Sequence, residues 1–456
     1  MRHQMVHSAR DRARRPRASR RVTPAALLAL ALGRALLGGS ALAQDTTGRQ
    51  GVRIGLTYQT GTRPGVLVLP IAGAWGDSIR AVVQRDLDYG DRVAIIGGEA
   101  AAALARAAPG SGGFNYPLYA QLGAAALVQI AAAPGGLHVE LHDVGAKQVT
   151  HTRDFRISAP APSREWRLAL HGVSDEVEYW ITGVRGVAQT RVAYVRQGKV
   201  YVVDSDGFDE RPLSAYGTAF SPAWHPAGRY LAYSAIGERG SQIVVQDLTT
   251  GRARPLPQTA GGLNTTPTFS PDGFTLVYAH GEDEGTDLFA VSPYDNTPAR
   301  RVTVGRGSDN VSPSFSPDGR RIAFTSGRSG HPEVYIMDAD GTNVEQLTPF
   351  AIGDQYYRSS PDWSPDGRAV AFQSLIDDRF QLMTIGLRDR SVRQLTSEGA
   401  NEDPSWAADG RHLVFTSNRS GSRELWVLDA ESGRARQLTH GGGRLAAWSA
   451  RLDRTP

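Results

Sequence analysis

The sequence predicts a six-bladed β-propeller, closed into a ring by its C-terminal strand and preceded by a small α/β domain. A turn motif of the type Pro313-Ser-Phe-Ser-Pro-Asp-Gly319 recurs through the C-terminal half. The aromatic residues of its copies, Trp224, Phe269, Phe315, Trp363, Trp406 and Trp448, are spaced by 45, 46, 48, 43 and 42 residues. Such a period is typical of propellers and solenoids. Short alternating stretches between the copies supply four strands per repeat, lettered a to d here, which is one propeller blade.

The first and last repeats are incomplete in a complementary way. The propeller begins at Arg191 with strands b, c and d, but no strand a precedes them. The last strand a, residues 445–449, has no b-c-d set after it. Pairing these two ends completes a sixth blade and leaves no sheet edge open. We therefore expect the last strand of the chain to pair with the first strand of the propeller, which occupies residues 187–456.

Residues 59–186 are predicted to form the α/β domain. Strands are expected at 65–70 and 93–96, and an antiparallel meander at 126–130, 137–141 and 149–157. Helices are expected at 77–87, capped by Asp77, and at 116–122 and 164–182. The last of these has apolar residues at intervals of three and four, which predicts one buried face. They are Trp166, Leu170, Val173, Val177 and Ile181.

Residues 1–43 predict an export signal. An arginine-rich opening precedes an apolar run and the small-x-small sequence Ala41-Leu-Ala43, so the mature chain is expected to start at Gln44. Ser19-Arg20-Arg21 leaves general secretion and twin-arginine export both open. Neither apolar run approaches the ~18 residues of a membrane span. We therefore expect a periplasmic protein without membrane insertion, beginning with a flexible polar segment at 44–58.

Charge and cysteine content exclude several classes of function. The formal net charge is +4, but nine arginines lie in the first 43 residues, so the rest of the chain is slightly acidic. Without a basic stripe, nucleic-acid binding is disfavoured. The chain has no cysteine, which excludes disulfides, thiol catalysis, cysteine-ligated metals and a lipidated N-terminal cysteine.

The sequence contains no catalytic constellation. The chain lacks the Gly-x-Ser-x-Gly elbow that propeller peptidases carry in their hydrolase domain. The loop Gly110-Ser-Gly-Gly113 lacks the lysine of a phosphate-binding loop. His225 replaces a turn serine, found at Ser270, Ser316 and Ser364 in other repeats, and we interpret it as a turn substitution. We therefore predict that the protein is not an enzyme.

Two aspartate-rich stretches, residues 204–209 and 338–343, have the alternating oxygen ligands of calcium loops. Both lack the bidentate glutamate of an EF-hand and fall at c–d turns, where turn geometry itself favours Asp and Gly. We predict no metal site and no cofactor from them. A cation bound in the central channel of the propeller is kept as an alternative.

The loops between strands d and a are the predicted partner-binding surface. In a propeller these loops open on one face around the channel mouth. Here they combine tyrosines with a neighbouring arginine, a combination typical of binding surfaces. The predicted residues are Asn264, Thr265 and Thr266; Asp309, Asn310 and Ser312; Tyr356, Tyr357 and Arg358; and Asn401, Glu402 and Asp403.

Residues 174–194, Ser-Asp-Glu-Val-Glu-Tyr-Trp-Ile-Thr-Gly-Val-Arg-Gly-Val-Ala-Gln-Thr-Arg-Val-Ala-Tyr, resemble the segment that joins the two domains of the TolB family. The order of domains is similar over the whole chain after the leader. TolB proteins are periplasmic components of the Tol-Pal system, so the resemblance implies a non-enzymatic scaffold, monomeric within a multi-protein complex.

The resemblance also implies two partners. The propeller face would bind a Pal-type peptidoglycan-associated lipoprotein, and the N-terminal segment with Val52, Arg53 and Ile54 would contact TolA. Such a scaffold supports outer-membrane integrity and constriction during cell division. The alternative is an exported propeller enzyme, or a metal-dependent binder of a small ligand, that uses the central channel.

Overall fold

A computed structural model describes residues 63–97, 114–237, 240–257, 261–283, 285–304, 308–349 and 357–452. The α/β domain and the propeller lie within one compact unit, Ile54–Pro456. Several predictions fall outside the described residues: the leader, the flexible segment with Val52, Arg53 and Ile54, the loop at 110–113, and Tyr356. Among the described helices, none is long and apolar enough to cross a membrane.

The α/β domain contains a five-stranded sheet packed against two of its helices. Its elements are β1 (Gly65–Val68), α1 (Gly76–Tyr89), β2 (Ala94–Ile95), α2 (Tyr116–Gln121), β3 (Ala124–Ala133), β4 (Gly136–Asp143), β5 (Gln148–Arg156) and α3 (Arg164–Thr182). The strand order is β2-β1-β3-β4-β5; β1 runs parallel to β2 and β3, and β3 to β5 form the predicted antiparallel meander.

The two long helices follow their sequence signals closely. Helix α3 has the predicted bounds: Ser163 caps it by accepting the Trp166 N–H at 3.2 Å, and Gly183 ends it with a φ of 75°. Its Leu170 and Val177 are buried in a common core with α1. One detail of α1 was predicted wrongly. Asp77 is not its N-cap; it lies in the first turn, where its charge still favours the helix dipole.

The described residues of the propeller form six four-stranded antiparallel blades, with strand a beside the channel and strand d at the periphery. Blade 1 contains β6 (Arg191–Arg196), β7 (Lys199–Asp204) and β8 (Arg211–Pro212) as strands b to d. Strands a to d of blade 2 are β9 (Thr218–Trp224), β10 (Tyr230–Gly237), β11 (Gly240–Asp247) and β12 (Ala253–Pro255); those of blade 3 are β13 (Leu263–Phe269), β14 (Leu276–Glu282), β15 (Gly285–Val291) and β16 (Arg300–Arg301).

The remaining blades repeat this pattern. Strands a to d of blade 4 are β17 (Asn310–Phe315), β18 (Arg321–Ser326), β19 (Glu333–Asp338) and β20 (Glu345–Gln346). Those of blade 5 are β21 (Arg358–Trp363), β22 (Ala369–Ile376), β23 (Arg379–Gly386) and β24 (Val392–Gln394), and those of blade 6 are β25 (Asn401–Trp406), β26 (His412–Ser417), β27 (Glu424–Asp429) and β28 (Ala435–Gln437).

The predicted ring closure is confirmed. Strand β29 (Arg444–Trp448) pairs antiparallel with β6, so it is strand a of blade 1. Trp448 lies opposite Val192 and is buried in an apolar cluster with Tyr194 and Val427. The two ends of the propeller sequence therefore share one sheet, and every strand a has a strand b beside it.

The α/β domain contacts blades 1 and 6 on the face formed by the a–b and c–d turns. Arg92 bridges the domains: its Nη1 is 3.1 Å from Glu178 in α3 and its Nη2 is 3.0 Å from Asp409 in the a–b turn of blade 6. Arg434, in the c–d turn of the same blade, donates to Asp88 at 2.8 Å and Asp91 at 2.9 Å. The pairs with Asp409 and Asp91 have a buried carboxylate, so water screens them less than ordinary surface pairs, whereas the Arg434–Asp88 pair is exposed.

A buried histidine lies inside this contact. His412 Nδ1 is 2.8 Å from Asp409 Oδ2, and its Nε2 is 3.5 Å from Asp91. Burial opposes protonation, but the hydrogen bonds to Asp409 and Asp91 outweigh it and raise the pKa of His412 to about 9. His412 is therefore a cation at neutral pH, between two carboxylates that belong to different domains.

Blade 1 makes the second contact with the α/β domain. Both Arg85 and Arg167 donate to the carboxylate of Asp206, in the c–d turn of blade 1. His171 Nε2 is 3.8 Å from the same carboxylate, and its Nδ1 is 2.8 Å from Asp86. A single buried aspartate of the propeller thus holds two guanidinium groups from the two long helices.

Candidate partner-binding face

Most of the predicted face residues lie on strands rather than in loops. Thr265 and Thr266 belong to β13, Ser312 to β17, and Glu402 and Asp403 to β25. In blades 2 to 6, strand a begins three or four residues before its proline, earlier than the motif alone indicates. The end of the propeller where d–a connections and b–c hairpins lie is called the d–a face here. It lies opposite the a–b and c–d turns that contact the α/β domain, since alternate connections of an antiparallel sheet lie at opposite ends.

Asn264, Asn310 and Asn401 were predicted as exposed partner-binding residues, and this was wrong. All three side chains are buried at the start of strand a, in the seam with the preceding blade. The amide of Asn310 donates to Asp287 of blade 3 at 2.9 Å, and its oxygen accepts from Arg328 at 3.1 Å. Asn401 makes the equivalent bonds with Gln381 and Arg419, at 2.8 and 2.9 Å. Asn264 contacts Ser241 and His280 in the same way.

Arg358 occupies the same position in blade 5, and its prediction as an exposed anchor was also wrong. Its Nη1 is 3.2 Å from the Glu333 carboxylate of blade 4 and 2.9 Å from the Pro349 carbonyl. The side chain is only 10% exposed, so its charge is used inside the seam between two blades. These four residues hold the blades together instead of presenting polar groups to a partner.

A threonine follows strand d in blades 3 to 6 and takes part in the seam with the next blade, and sequence reasoning missed it. In blade 4, Thr348 donates its hydroxyl to Glu333 while accepting the Val334 N–H at 3.3 Å. The same arrangement pairs Thr303 with Asp287, Thr396 with Gln381 and Thr439 with Glu424. The signal was present in the sequence, since an apolar residue followed by threonine ends strand d in four repeats.

The central channel is lined by the strand-a residues around the repeated prolines. The residue before each of these prolines has a left-handed φ, and in blade 1 the residue before Ala446 has one too; all six values lie between 45° and 54°. The pairing register of strand a with strand b shifts at this residue, which forms a β-bulge in every blade. The six residues are Ser221, Thr266, Ser312, Ser360, Asp403 and Leu445. They surround a cavity of about 250 Å³, so the structure brings the predicted residues Thr266, Ser312 and Asp403 together there.

Two carboxylates lie in the channel wall. Asp362 accepts the Trp406 N–H at 2.7 Å and the Ser314 hydroxyl at 3.1 Å, and burial raises its pKa to about 6. Burial and the nearby Glu402 charge likewise raise the pKa of Asp403 to about 6. Because the hydrogen bonds occupy Asp362, Asp403 is the carboxylate that faces the channel with coordination capacity to spare. A cation usually needs more oxygen ligands of this kind.

The d–a face still offers exposed side chains. Tyr357 is 42% exposed and packs edge-to-face against Phe380 of the adjacent b–c hairpin, with ring centroids 5.5 Å apart. Asp309 is exposed just before β17. Glu402 is half-buried and pairs with Arg423 at 3.1 Å. An exposed aromatic side chain on the same face as carboxylates is a combination suited to a protein partner.

The two calcium-like stretches use their carboxylates within the protein. In blade 4, Asp340 accepts the Thr342 N–H at 2.9 Å, and Asn343 donates to Asp338 at 2.6 Å. In blade 1, Asp204 pairs with Arg191 and Asp206 with the two arginines of the α/β domain. Hydrogen bonds within the turn account for Asp338 and Asp340. Ion pairs, which the turn interpretation did not include, account for Asp204 and Asp206.

Among the described residues, two groups of carboxylates and histidine come close enough to hold a metal ion, and arginines neutralise both. One is Asp86, His171 and Asp206, where Arg85 and Arg167 already contact the last carboxylate. The other is Asp91, His412 and Asp429; Arg411 donates to Asp429 at 2.8 Å, and Arg434 pairs with Asp91. A divalent cation at either place would lie against buried positive charge, so we interpret both groups as ion-pair networks.

A family model described as the TolB beta propeller domain matches residues 179–360 and 352–454, more than half of the chain. The chain belongs to the TolB propeller family. The matched part starts in α3, includes the segment that joins the two domains and ends after β29, so it contains all six blades.

The chain is also similar to individual TolB proteins. The Tol-Pal system protein TolB of Haemophilus influenzae is 31% identical over 204 residues, which are 42% of this chain and 47% of that protein. The chain thus matches about half the length of this curated relative. The crystal structure of TolB from Acinetobacter baumannii matches 85% of this chain and 97% of its own, with a TM-score of 0.72 at 22% identity. At that identity the likeness shows the TolB fold, including the domain before the propeller.

Proposed function

We propose that this protein is the TolB-type scaffold of a Tol-Pal system in the periplasm, without enzymatic activity. Membership of the TolB propeller family carries the proposal, because the family match includes all six blades and the segment that joins them to the α/β domain. The Haemophilus relative is named as a Tol-Pal system protein. A scaffold of this kind would support outer-membrane integrity and constriction during division.

The propeller would bind a Pal-type lipoprotein on the d–a face. Tyr357, Asp309 and Glu402 supply the exposed or half-exposed side chains there, while Thr266, Ser312 and Asp403 shape the channel mouth. The buried asparagines and Arg358 would act indirectly, by fixing where each strand a begins. The proposal therefore assigns direct contact with the lipoprotein to fewer residues than the sequence pattern predicts.

The N-terminal segment with Val52, Arg53 and Ile54 would bind TolA. The segment is too short and polar to hold a fold alone, so a partner can supply the free energy that orders it. A small-ligand enzyme or metal-dependent binder in the channel is less well supported, because Asp403 is the one channel carboxylate with free coordination capacity in the part of the chain that the structure describes.

Titration calorimetry against a Pal-type lipoprotein tests the proposed propeller contact. Tyr357→Ala is expected to weaken binding at least tenfold, because an exposed aromatic anchor commonly contributes 2 kcal/mol or more. Phe274→Ala is the matched control: Phe274 is 68% exposed in an a–b turn, on the opposite face. Equal effects of both substitutions would contradict the assignment of the face.

Removal of residues 44–56 tests the second contact. The shortened protein is expected to lose TolA binding and to retain Pal binding, since the two contacts lie on different segments. Tyr357→Ala is expected to weaken Pal binding and to retain TolA binding. Loss of both interactions in either folded variant would show that the two contacts are not separable.

A further inference from the structure

Blade 2 departs from the repeat at its a–b turn. In blades 3 to 5 the turn serine donates its hydroxyl to the aspartate two residues later; Ser316 Oγ, for example, lies 2.6 Å from Asp318. In blade 2 the same two positions hold His225 and Ala227. The imidazole Nδ1 accepts the Ala227 N–H at 3.1 Å and so replaces part of the serine network. The turn keeps its shape but loses its negative charge.

The position of the His225 ring sets the hydrogen bonding of a tyrosine in the next blade. Because Nδ1 accepts a hydrogen bond, Nε2 carries the proton of the neutral ring, and Nε2 lies 2.9 Å from the Tyr294 hydroxyl. Burial lowers the pKa of His225, which keeps the ring neutral at pH 7. The Tyr294 oxygen therefore accepts from His225 and keeps its own proton for another acceptor. Tyr294 is 51% exposed, so that acceptor can be a ligand.

A cavity of about 620 Å³ opens beside this pair, between blades 2 and 3. Phe269 and Val245, both buried, line it together with Tyr230 and Tyr294. Its volume is within the range of pockets that bind small molecules. The corresponding cavity between blades 3 and 4 is smaller, about 430 Å³, and has neither tyrosine nor histidine in its lining.

The charge of the two cavities differs in sign. Arg229, Arg252 and Arg254 line the cavity between blades 2 and 3; Asp247 is 2.7 Å from the first and neutralises it. Within the described ranges, Arg252 and Arg254 form no ion pair, and Arg254 donates to the Pro293 carbonyl. The smaller cavity carries Asp272 and Asp318 against Arg300. Asp295 lies near enough to interact electrostatically with Arg254. The three arginines still exceed the carboxylates in number, so the larger cavity keeps a net positive charge that favours an anion.

We propose that the cavity between blades 2 and 3 binds an aromatic carboxylate. The His225 imidazole contacts Tyr230, Phe269 and Tyr294, and the ligand ring would pack on the open side of this aromatic group, where aromatic side chains favour tilted and edge-to-face contacts. The carboxylate would pair with Arg252 and Arg254 and accept the Tyr294 hydroxyl proton. The ligand is either a free small molecule or the C-terminal aromatic residue of a peptide. The cavity lies on the face opposite the d–a face, so this site does not depend on the proposed lipoprotein contact.

Calorimetry with four probes tests the chemistry and distinguishes the two sources. The probes are N-acetyl-phenylalanine, its amide, a hexapeptide ending in phenylalanine, and the same peptide amidated. Both carboxylates are expected to bind at least tenfold more tightly than their amides. Comparable binding of the two carboxylates indicates a free ligand, and binding of the peptide alone indicates a chain terminus. Equal binding of carboxylate and amide, or no saturable binding in the millimolar range, would falsify the proposal.

Substitutions test whether the carboxylate binds in the cavity between blades 2 and 3. Arg254→Gln and Tyr294→Phe are each expected to weaken binding of the carboxylate about five- to tenfold at unchanged melting temperature. The control Arg300→Gln changes the cavity between blades 3 and 4 and is expected to have no effect. The double variant His225→Ser, Ala227→Asp restores the turn of the other blades, so it should fold and lose binding. Retention of full affinity in this double variant and in Arg254→Gln would place any binding elsewhere.

Discussion

Trp448 on the last strand of the propeller donates its indole N–H to the hydroxyl of Thr190, just before the first strand, at 2.7 Å. Both side chains are buried, and 258 residues separate them in the chain. The Thr190 hydroxyl in turn donates to the Val187 carbonyl at 2.6 Å. One hydrogen-bonded pair therefore links the last strand of the propeller to the segment that connects the α/β domain to the first strand of the propeller.

Trp448→Ala is expected to lower the free energy of unfolding by about 3 to 5 kcal/mol, the usual cost of removing a buried tryptophan. Denaturant unfolding measures the change. Trp75→Ala is the control, because Trp75 is 42% exposed in the α/β domain and should cost much less. Deletion of residues 440–456 should be still more damaging, since it opens blade 1. A truncated protein with the wild-type melting temperature would overturn the role given to ring closure.

Asn310→Ala is expected to destabilise the protein by about 1 to 3 kcal/mol. The substitution leaves Asp287 and Arg328 without their amide partner inside the seam between blades 3 and 4, and an unsatisfied buried polar group has a cost of that size. Thermal or denaturant unfolding measures it. The neighbouring control Asp309→Ala, at an exposed position, is expected to stay within about 0.5 kcal/mol. If both substitutions are neutral, the seam network contributes nothing measurable.

His412 predicts a loss of stability at alkaline pH. Its pKa is raised to about 9 in the folded protein, so its contribution is complete below about pH 6.5 and disappears as the pH rises through 9. The shift corresponds to up to about 3 kcal/mol. The charged groups around it are Asp91, Asp409 and Asp429, with Arg92 and Arg434 beside them.

His412→Gln should therefore be markedly less stable than wild type at pH 6 and nearly equal at pH 10, as measured by urea unfolding. His440→Gln is the control at an exposed position and is expected to change stability by no more than about 0.5 kcal/mol at either pH. A constant difference between His412→Gln and wild type across this range would mean that the histidine is not charged in the interface.

Asp206→Asn is expected to weaken the contact between the α/β domain and blade 1 by roughly 3 kcal/mol, because Arg85 and Arg167 lose the charge that they share. Calorimetry should show two separate melting transitions or a lower common one. Asp340→Asn is the matched control: Asp340 occupies the same turn position in blade 4 but accepts its hydrogen bonds from Thr342 within its own turn. The two variants behaving alike would refute an interdomain role for Asp206.

Blade number and ring closure could be predicted because the turn motif recurs in the sequence at a nearly constant spacing. Each complete copy ends in a glycine with positive φ, as at Gly319 with a φ of 70°, and all of these copies except that of blade 6, which has Ala408, carry a proline in the turn. Helix α3 was equally predictable, because its apolar residues recur at intervals of three and four from Trp166 to Ile181. Capping of α1 was not, because Trp75 has no capping side chain and Asp77 lies two residues farther on.

The binding face was only partly predictable. Proline normally argues against a strand interior, so the residues before Pro267 or Pro313 were assigned to loops. In the structure a β-bulge at that step lets strand a continue past the proline, and Asn264 and Asn310 become buried. Interdomain pairs such as Arg92 with Asp409 are 317 residues apart, and no local pattern identifies them.

The paired ends of the propeller also determine how the molecule would carry mechanical load. The chain leaves the α/β domain through Ala188 and Gln189, whose N–H groups are held by Asp175, and enters directly into β6. Strand β6 is flanked by β29 on one side and β7 on the other. A pull along β6 therefore shears two antiparallel ladders at once instead of peeling an edge strand one bond at a time. Tension on the α/β domain would meet its strongest resistance at the blade that both ends of the propeller share.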